Sequence, residues 1–181
     1  MKTSVFIATS LDGFIARANG SIDWLEKANA TVPTGEDCGY RAFIDTVDVL
    51  VMGRNTYEMA LSFGAWPYED KRVLVLSSKA IQIPKAIAHT VSTAAETPNQ
   101  VVARLTAQGA THLYIDGGRT IQQFLSAGLI DELTITLIPV LLGTGIPLFG
   151  PLAKDVSLTH LSTQAYDFGF VQHKYRVVGN T

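Results

Sequence analysis

The chain alternates short, almost purely apolar runs with segments whose apolar residues recur at helical spacing. Strands that are apolar on both faces must be covered on both, which is typical of a parallel sheet between helices. The chain's last part, residues 156–178, instead alternates apolar and polar residues on either side of Asp167-Phe168-Gly169, which predicts an antiparallel hairpin. We therefore predict an α/β fold with a mostly parallel central sheet, helices on both faces and a C-terminal antiparallel hairpin. The strand runs are 3–10, 48–52, 71–78, 112–116 and 132–143, and the helical segments are 36–46, 55–63, 97–109 and 117–128.

Length and charge narrow the classes of function. A chain of 181 residues is the size of one domain, so we expect a single domain over 1–181. A net charge of -2 gives no electrostatic reason to expect a nucleic-acid or membrane-surface partner. No apolar run approaches the ~20 residues of a membrane helix. Cys38 is the only cysteine, so no intrachain disulfide can form, which suits a cytoplasmic protein.

Three strand ends carry the same kind of residues, small or cationic, where a strand passes into the next segment. They are Gly53-Arg54-Asn55-Thr56, Ser77-Ser78-Lys79 and Asp116-Gly117-Gly118-Arg119-Thr120. The carboxyl ends of parallel strands lie along one edge of a sheet, where ligands of α/β folds collect. Two of these joints open a helix, whose free N–H groups favour an anion. The pattern indicates either capped turns or a cradle for a ligand with several phosphates, such as a dinucleotide.

Familiar signatures of other chemistries are missing from the sequence. It contains no G-x-G-x-x-G after a strand, no G-x-x-x-x-G-K-[ST] and no G-x-S-x-G. The four histidines lack metal-ligand spacing, so we expect no metal site. We interpret Cys38 as a small buried hydrophobe rather than a nucleophile.

Five motifs in a fixed order carry a resemblance that spans residues 4–175. "SLDGFIA", "VMGRNTYE", "VLSS", "IDGGRTIQQFL" and "DELTITLIPVLLGTGIPLF" together resemble the dihydrofolate reductase-like superfamily. Within it, the chain is similar to the reductase (C-terminal) domain of the bifunctional riboflavin-biosynthesis deaminase-reductase. The resemblance implies a three-layer dihydrofolate reductase-like fold and an NADPH-dependent reductase. The zinc-binding H-x-E and C-x-x-C ligands of the deaminase domain are absent from this sequence.

The resemblance also implies a cofactor site, residue by residue. Gly53, Arg54, Asn55 and Thr56 match a helix start that meets the phosphates of NADPH. Ser77 and Ser78 match serines near the 2′-phosphate. The matches to the turn under the pyrophosphate are Gly117, Gly118, Arg119 and Thr120, and those to backbone positions that hold the nicotinamide amide are Ala8 and Ile15.

The substrate side is less defined by sequence. A carboxyl group in an apolar pocket could deliver the proton that accompanies hydride transfer, and Asp12, Asp23 and Asp37 are candidates. Asp37 aligns without gaps with the substrate-binding acid of dihydrofolate reductases, whereas Asp12 could instead close an Asp-Gly turn. The aromatic candidates for substrate contact are Tyr40, which could also supply the proton through its hydroxyl, Trp24 and Tyr57. Trp24 could equally anchor its loop, and Tyr57 could belong to the core.

The segment Leu133–Phe149 could contribute to a subunit contact, because a strand that is apolar on both faces must be covered on both. The resemblance implies a homodimer through this region; the alternative is a strand buried within one subunit. Three functions stay open at this point. They are reduction of 5-amino-6-(5-phosphoribosylamino)uracil or a related heterocycle such as a dihydrofolate or pterin, non-catalytic NADP(H) binding, and a purely structural dimer.

Overall fold

The computed structural model describes residues 1–179 and contains one large sheet of eight strands with a two-stranded sheet beside it. The large sheet has the order β5-β4-β3-β6-β1-β7-β10-β9. The strands are β1 Lys2–Ser10, β2 Phe14–Ala16, β3 Val49–Gly53, β4 Arg72–Leu76, β5 Val91–Ala94, β6 His112–Asp116, β7 Glu132–Ile138, β8 Ile146–Pro147, β9 Leu158–Ala165 and β10 Val171–Val177. The helices are α1 Asp23–Asn29, α2 Tyr40–Asp45, α3 Arg54–Ser62, α4 Pro98–Ala107 and α5 Gly118–Ser126.

The pairing of the strands confirms the predicted fold class. From β5 across to β7 in this order, neighbouring strands pair in parallel, and β10 pairs antiparallel with both β7 and β9. After β1 the chain builds outward through β3, β4 and β5, then returns to insert β6 between β3 and β1. This reversal brings the carboxyl ends of β4, β3, β6 and β1 side by side, the arrangement in which open α/β sheets bind ligands.

Helices cover both faces of the sheet because side chains alternate along each strand. Along β1, Val5 and Ile7 join a core cluster that includes residues of α4 and α5. Phe6 packs into the cluster on the opposite face, with residues of α2 and α3. A third, smaller cluster joins Trp24 of α1 to Ile138 and Phe170.

Local signals set the clearest helix boundaries. Thr97 caps α4 in a capping box with Gln100, Pro98 takes the first helical position, and Gly109 follows the helix with a φ of 84°. The predicted hairpin also forms, with Tyr166 and Gly169 closing the turn between β9 and β10. Both features follow from short-range chemistry.

Two expectations for strands need correction. The apolar run 132–143 is a strand only as far as Ile138, because Pro139 follows. That strand, β7, pairs with β1 on one side and β10 on the other and is mostly buried, so it is not an exposed edge. The strand is therefore covered within one subunit, and the exposed apolar residues of this region, Leu141, Ile146 and Phe149, lie beyond it. The short strands β2, β5 and β8 were not predicted.

No helix in residues 1–179 has both the length and the apolar character needed to cross a bilayer.

Candidate active site

The three joints predicted from sequence lie next to one another at the carboxyl edge of the sheet. Gly53 at the end of β3 is in register with Leu76 at the end of β4, and Met52 is in register with Asp116 at the end of β6. The Ser77 joint follows β4 and the Gly117 joint follows β6, so the three joints come from neighbouring strands of the sheet. The structure therefore brings together the residues that the sequence singled out.

The starts of α3 and α5 interlock. A Cβ on Gly117 would clash with Thr56 Oγ1 of the other helix, and Gly117 has a φ of 86°. A Cβ on Gly53 would lie 3.1 Å from Thr120 Oγ1. Each glycine thus faces a threonine from the first turn of the other helix, and only glycine fits at position 117.

Neither α3 nor α5 has a side-chain cap, and their N-cap residues are Gly53 and Gly117. In α4, by contrast, the Thr97 hydroxyl accepts the N–H of Gln100. The first N–H groups of a helix have no partner within the helix, and the helix dipole makes this end positive. Two adjacent helix starts without side-chain caps form a site suited to an anion with more than one phosphate.

Ile15 connects this edge to the next part of the site. Its Cδ1 lies so close to Gly118 that a Cβ there would approach to 2.7 Å. The short strand β2, which contains Ile15, pairs with β8, and Leu148 N donates to Gly13 O at 3.0 Å. The glycine turn therefore packs directly against the segment that the resemblance assigned to the nicotinamide.

The polar residues of the three joints are partly engaged with the protein itself. Arg54 Nε lies 3.7 Å from Glu58 Oε1, one turn along the same helix. The Ser77 hydroxyl donates to Lys79 O at 2.8 Å and accepts from Lys79 N at 3.0 Å, so it closes a local turn. Ser78, Asn55 and Arg119 are exposed, and Thr120 is buried.

A cavity of about 570 Å³ lies over the carboxyl halves of β1 and β7. Its wall includes three of the predicted residues, Ala8, Asp37 and Tyr40. Phe6, Ile138 and Phe170 give it an apolar floor. Phe6 meets Tyr40 edge to face with ring centroids 5.6 Å apart. The cavity has the size and the mainly apolar lining of a small-molecule site.

The structure gives Asp12 and Asp23 other roles than proton donation. Asp12 accepts the N–H of Gly143 at 2.7 Å and that of Leu142 at 3.1 Å, and the hydroxyl of Ser10 at 2.6 Å. The Ser10 hydroxyl, followed by the two amides, lowers the pKa of Asp12, so it is a fixed anion that anchors a distant loop. Asp23 accepts Arg17 Nε and Nη2 together, and this contact lowers its pKa well below the ordinary value.

Tyr57 and Trp24 were candidates for substrate contact, and the structure places both in the core instead. Tyr57 is fully buried, and its hydroxyl donates to Gln82 O at 3.0 Å, so substrate contact was the wrong prediction for this residue. Trp24 is only 4% exposed and packs with Ile138 and Phe170. It anchors α1 to the sheet and lines a second cavity on the far side of that helix rather than the one beside Ala8.

Asp37 lies at the cavity but is exposed, not enclosed in an apolar pocket. Its Oδ1 accepts the N–H of Gly39 at 2.8 Å and its Oδ2 that of Arg41 at 2.9 Å, so the carboxylate is held at the start of α2. Asp37 therefore lines the cavity without the burial that a proton donor in an apolar pocket was expected to have.

From the sequence, Asp116 was placed in a strand-end joint but was not identified as a titratable group of the site. It is the last residue of β6, half-buried, and its Oδ1 accepts the N–H of Gly117 at 2.8 Å. Burial raises the pKa of Asp116 to about 6, and the hydrogen bond from the Gly117 N–H only partly offsets this effect. Burial, and then the charge of Asp116, raise the pKa of Tyr40 to about 12. A titratable carboxyl thus adjoins the glycine turn and lies close enough to Tyr40 of the cavity wall to affect the pKa of that residue.

The chain matches known proteins along nearly its whole length. The family model described as the RibD C-terminal domain matches residues 2–172. The uncharacterized protein YwjB of Bacillus subtilis is 35% identical over 178 residues, which cover 97% of this chain and 98% of that protein. A structure of a putative riboflavin biosynthesis protein from Shewanella sp. PV-4 is 43% identical, has a TM-score of 0.91, and is matched over 98% of this chain and 99% of that one.

A more distant structure shares the fold. The diaminohydroxyphosphoribosylaminopyrimidine deaminase/5-amino-6-(5-phosphoribosylamino)uracil reductase of Thermotoga maritima is 13% identical, with a TM-score of 0.72. The match covers 98% of this chain and 56% of that one.

Proposed function

This chain belongs to the RibD C-terminal domain family, and from that premise we propose that it is an NADPH-dependent reductase of a small nitrogen heterocycle. Membership supports a reductase-like role; the cofactor, the reaction and the residues that perform it are our proposal. When bound, NADPH supplies the hydride.

The interlocked starts of α3 and α5 carry the proposal. Both begin at a glycine without a side-chain cap, and the two lie at neighbouring strand ends. A dinucleotide has phosphates to accept these N–H groups, a role that the Thr97 side chain fills at the start of α4.

Different residues at this edge of the sheet would bind different parts of NADPH. Gly53, Asn55 and Thr56 and the turn Gly117–Thr120 would bind the phosphates, with Gly117 and Gly118 allowing close approach of the backbone. Arg54 and Ser78 would meet the 2′-phosphate, where arginine can bind in a bidentate manner, and Ser77 would shape the turn that presents Ser78. The backbone of Ala8 and Ile15 would hold the nicotinamide amide at the edge of the 570 Å³ cavity.

Asp116 is the group best suited to hold the proton. A carboxyl with a pKa of about 6 is partly protonated near neutral pH and can donate. Tyr40 lines the cavity, and the charge of Asp116 contributes to its raised pKa. Proton loss from Asp116 therefore changes the electrostatic potential at the cavity wall. Asp37, fixed by two backbone N–H groups, would orient the substrate from the rim.

The substrate follows from the relatives only as a class. The name of the Thermotoga maritima protein includes 5-amino-6-(5-phosphoribosylamino)uracil reductase, and a dihydrofolate or pterin is the other candidate. We also propose a homodimer, supported by the exposed Leu141 and Phe149, and a cytoplasmic location, which suits a nicotinamide-dependent reductase.

Oxidation of NADPH against a panel of uracil and pterin substrates tests the proposal. We expect turnover with at least one of them, and Asp37→Asn should lower that turnover while leaving NADPH affinity nearly intact. The matched control is Asp155→Asn, an exposed acid remote in sequence from the cradle and outside the cavity wall. Tight NADPH binding without turnover of any substrate would instead favour a non-catalytic NADP(H)-binding protein.

A further inference from the structure

The wall of the 570 Å³ cavity carries negative charge. Among residues 1–179, the only charged side chains in its wall are Glu36 and Asp37, and the wall contains no lysine, arginine or histidine. The remaining polar groups are neutral ones, such as Asn29, Tyr40 and Thr136. A ligand in this cavity therefore meets negative charge and apolar surface, and no positive charge from the wall.

The two carboxylates are held in place by the backbone. Glu36 Oε1 accepts the N–H of Cys38 at 2.6 Å, and both oxygens of Asp37 accept backbone N–H groups. Cys38 has a φ of 53°, an uncommon conformation for a residue other than glycine, and Gln172 Nε2 donates to its carbonyl at 3.0 Å. An ionised carboxylate offers about four acceptor positions, so Glu36 and Asp37 keep free positions for further donors.

The nearest cations along the chain are directed elsewhere. Helix α1 presents Leu25 and Asn29 to this cavity, and presents Trp24 and Lys27 to the second cavity on its other side, which Arg17 also lines. Arg17 is already paired with Asp23. The guanidinium of Arg41 is 70% exposed and lies 4.0 Å from Glu69.

We propose that the substrate of this reductase carries no phosphate and is a neutral or protonated amino-substituted heterocycle whose N–H groups donate to Glu36 and Asp37. This inference rests on the proposed function and selects within it. A phosphate carries about -1.5 to -2 charge at neutral pH and is repelled by two carboxylates that no cation in the wall offsets. Amino and ring N–H groups of such a heterocycle have the donors that these carboxylates can accept.

Calorimetric titration in saturating NADP⁺ tests the inference. The ligands are 5-amino-6-(5-phosphoribosylamino)uracil, the same compound without its phosphate, and 2,4-diaminopteridine. We expect at least one of the two unphosphorylated ligands to bind about tenfold or more tightly than the phosphorylated one, and the difference to shrink at high salt. Equal or tighter binding of the phosphorylated compound, or no binding of any of the three, would overturn the inference.

A charge variant tests the cause of the selectivity. Glu36→Gln together with Asp37→Asn should reduce the discrimination against phosphate about threefold or more, because repulsion is removed while each side chain keeps an oxygen acceptor. Glu26→Gln, an exposed acid of α1 outside the cavity wall, should leave the ratio unchanged. An unchanged ratio in the double variant would also overturn the inference. NADP⁺ binding is measured first on each sample, and its absence would contradict the proposed function instead.

Discussion

Thr56 and Gly117 belong to different strand–helix joints, yet the Thr56 hydroxyl fills the space beside Gly117 that any side chain there would need. The contact fixes the spacing between two helix starts, both of which lack a side-chain cap. The proposed phosphate cradle thus depends on two segments packed together and on neither alone.

Gly117→Ala should therefore lower stability by more than the strain of its left-handed φ. Gly109 has nearly the same φ, 84°, but no other group lies within 4 Å of the position that a Cβ would take there. Gly109→Ala measures the backbone strain, about 1 kcal/mol, and Gly117→Ala should cost roughly 1–3 kcal/mol more because Thr56 must move. Chemical denaturation of both variants gives the two values, and equal losses would mean that the contact with Thr56 is unimportant.

Arg54→Ala should weaken NADPH about tenfold while changing NADH little, because the guanidinium is proposed to meet the 2′-phosphate. Glu58 lies 3.7 Å from Arg54 and would compete with the 2′-phosphate for the guanidinium. Glu58→Ala should consequently leave NADPH binding unchanged or tighten it. Parallel titrations with both cofactors measure the ratio, and equal losses for the two in Arg54→Ala would remove this role.

Asp116→Asn should change how stability depends on pH. The folded state raises the pKa of Asp116 from 3.8 to about 6, so it binds the proton more tightly than the unfolded chain does. The resulting stabilisation of the folded state is complete below pH 3.8 and is lost as the pH rises through about 6. Asparagine keeps an oxygen for the Gly117 N–H but does not ionise, so the variant should gain on the order of 2 kcal/mol relative to wild type between about pH 4 and 8. Denaturation at a series of pH values measures this difference, and a difference that does not vary with pH would contradict it.

The same substitution should alter the pH profile of the reaction. If Asp116 holds the proton, kcat/KM of the wild type falls as the pH rises through about 6, and this step disappears in Asp116→Asn. A variant that retains the same descending limb would assign the proton to another group.

The homodimer is tested by light scattering at micromolar concentration. The exposed Leu141 and Phe149 lie beyond β7, in the region proposed for the contact. A dimer should give about twice the chain mass, and Leu141→Glu with Phe149→Glu should lower it because charge is introduced into the contact. A species of 19.5 kDa for the wild type would contradict the proposal.

Much of the architecture could be predicted because its signals are local. The capping box at Thr97 and the turn around Gly169 depend on residues within a few positions of each other. The adjacency of the glycine-containing joints could also be predicted, since parallel strand ends share an edge of the sheet. Strand β5 escaped prediction because a short edge strand with a mixed pattern resembles a loop.

The features of the site that could not be predicted from the sequence depend on contacts between segments far apart in the chain. In the sequence, Asp12 is typical of a local Asp-Gly turn. Its contact with the loop at Leu142 and Gly143, which begins 130 residues later and donates N–H groups to it, appears only in the folded chain. Asp116 acquires its raised pKa from burial at the end of β6, near Tyr40 and Tyr68, which arrive from other segments of the chain. The negative charge of the cavity wall likewise appears only when α1, the loop at Glu36 and the sheet are assembled.

Calorimetric titration of the purified protein with NADPH, with NADH and NADP⁺ in parallel, tests the central claim most directly. If the starts of α3 and α5 form a phosphate cradle, NADPH and NADP⁺ should bind with micromolar or tighter affinity and more strongly than NADH. Gly117→Ala should weaken this binding, whereas Gly109→Ala should not. Absence of binding by either phosphorylated cofactor would contradict the claim and leave the two helix starts without a ligand.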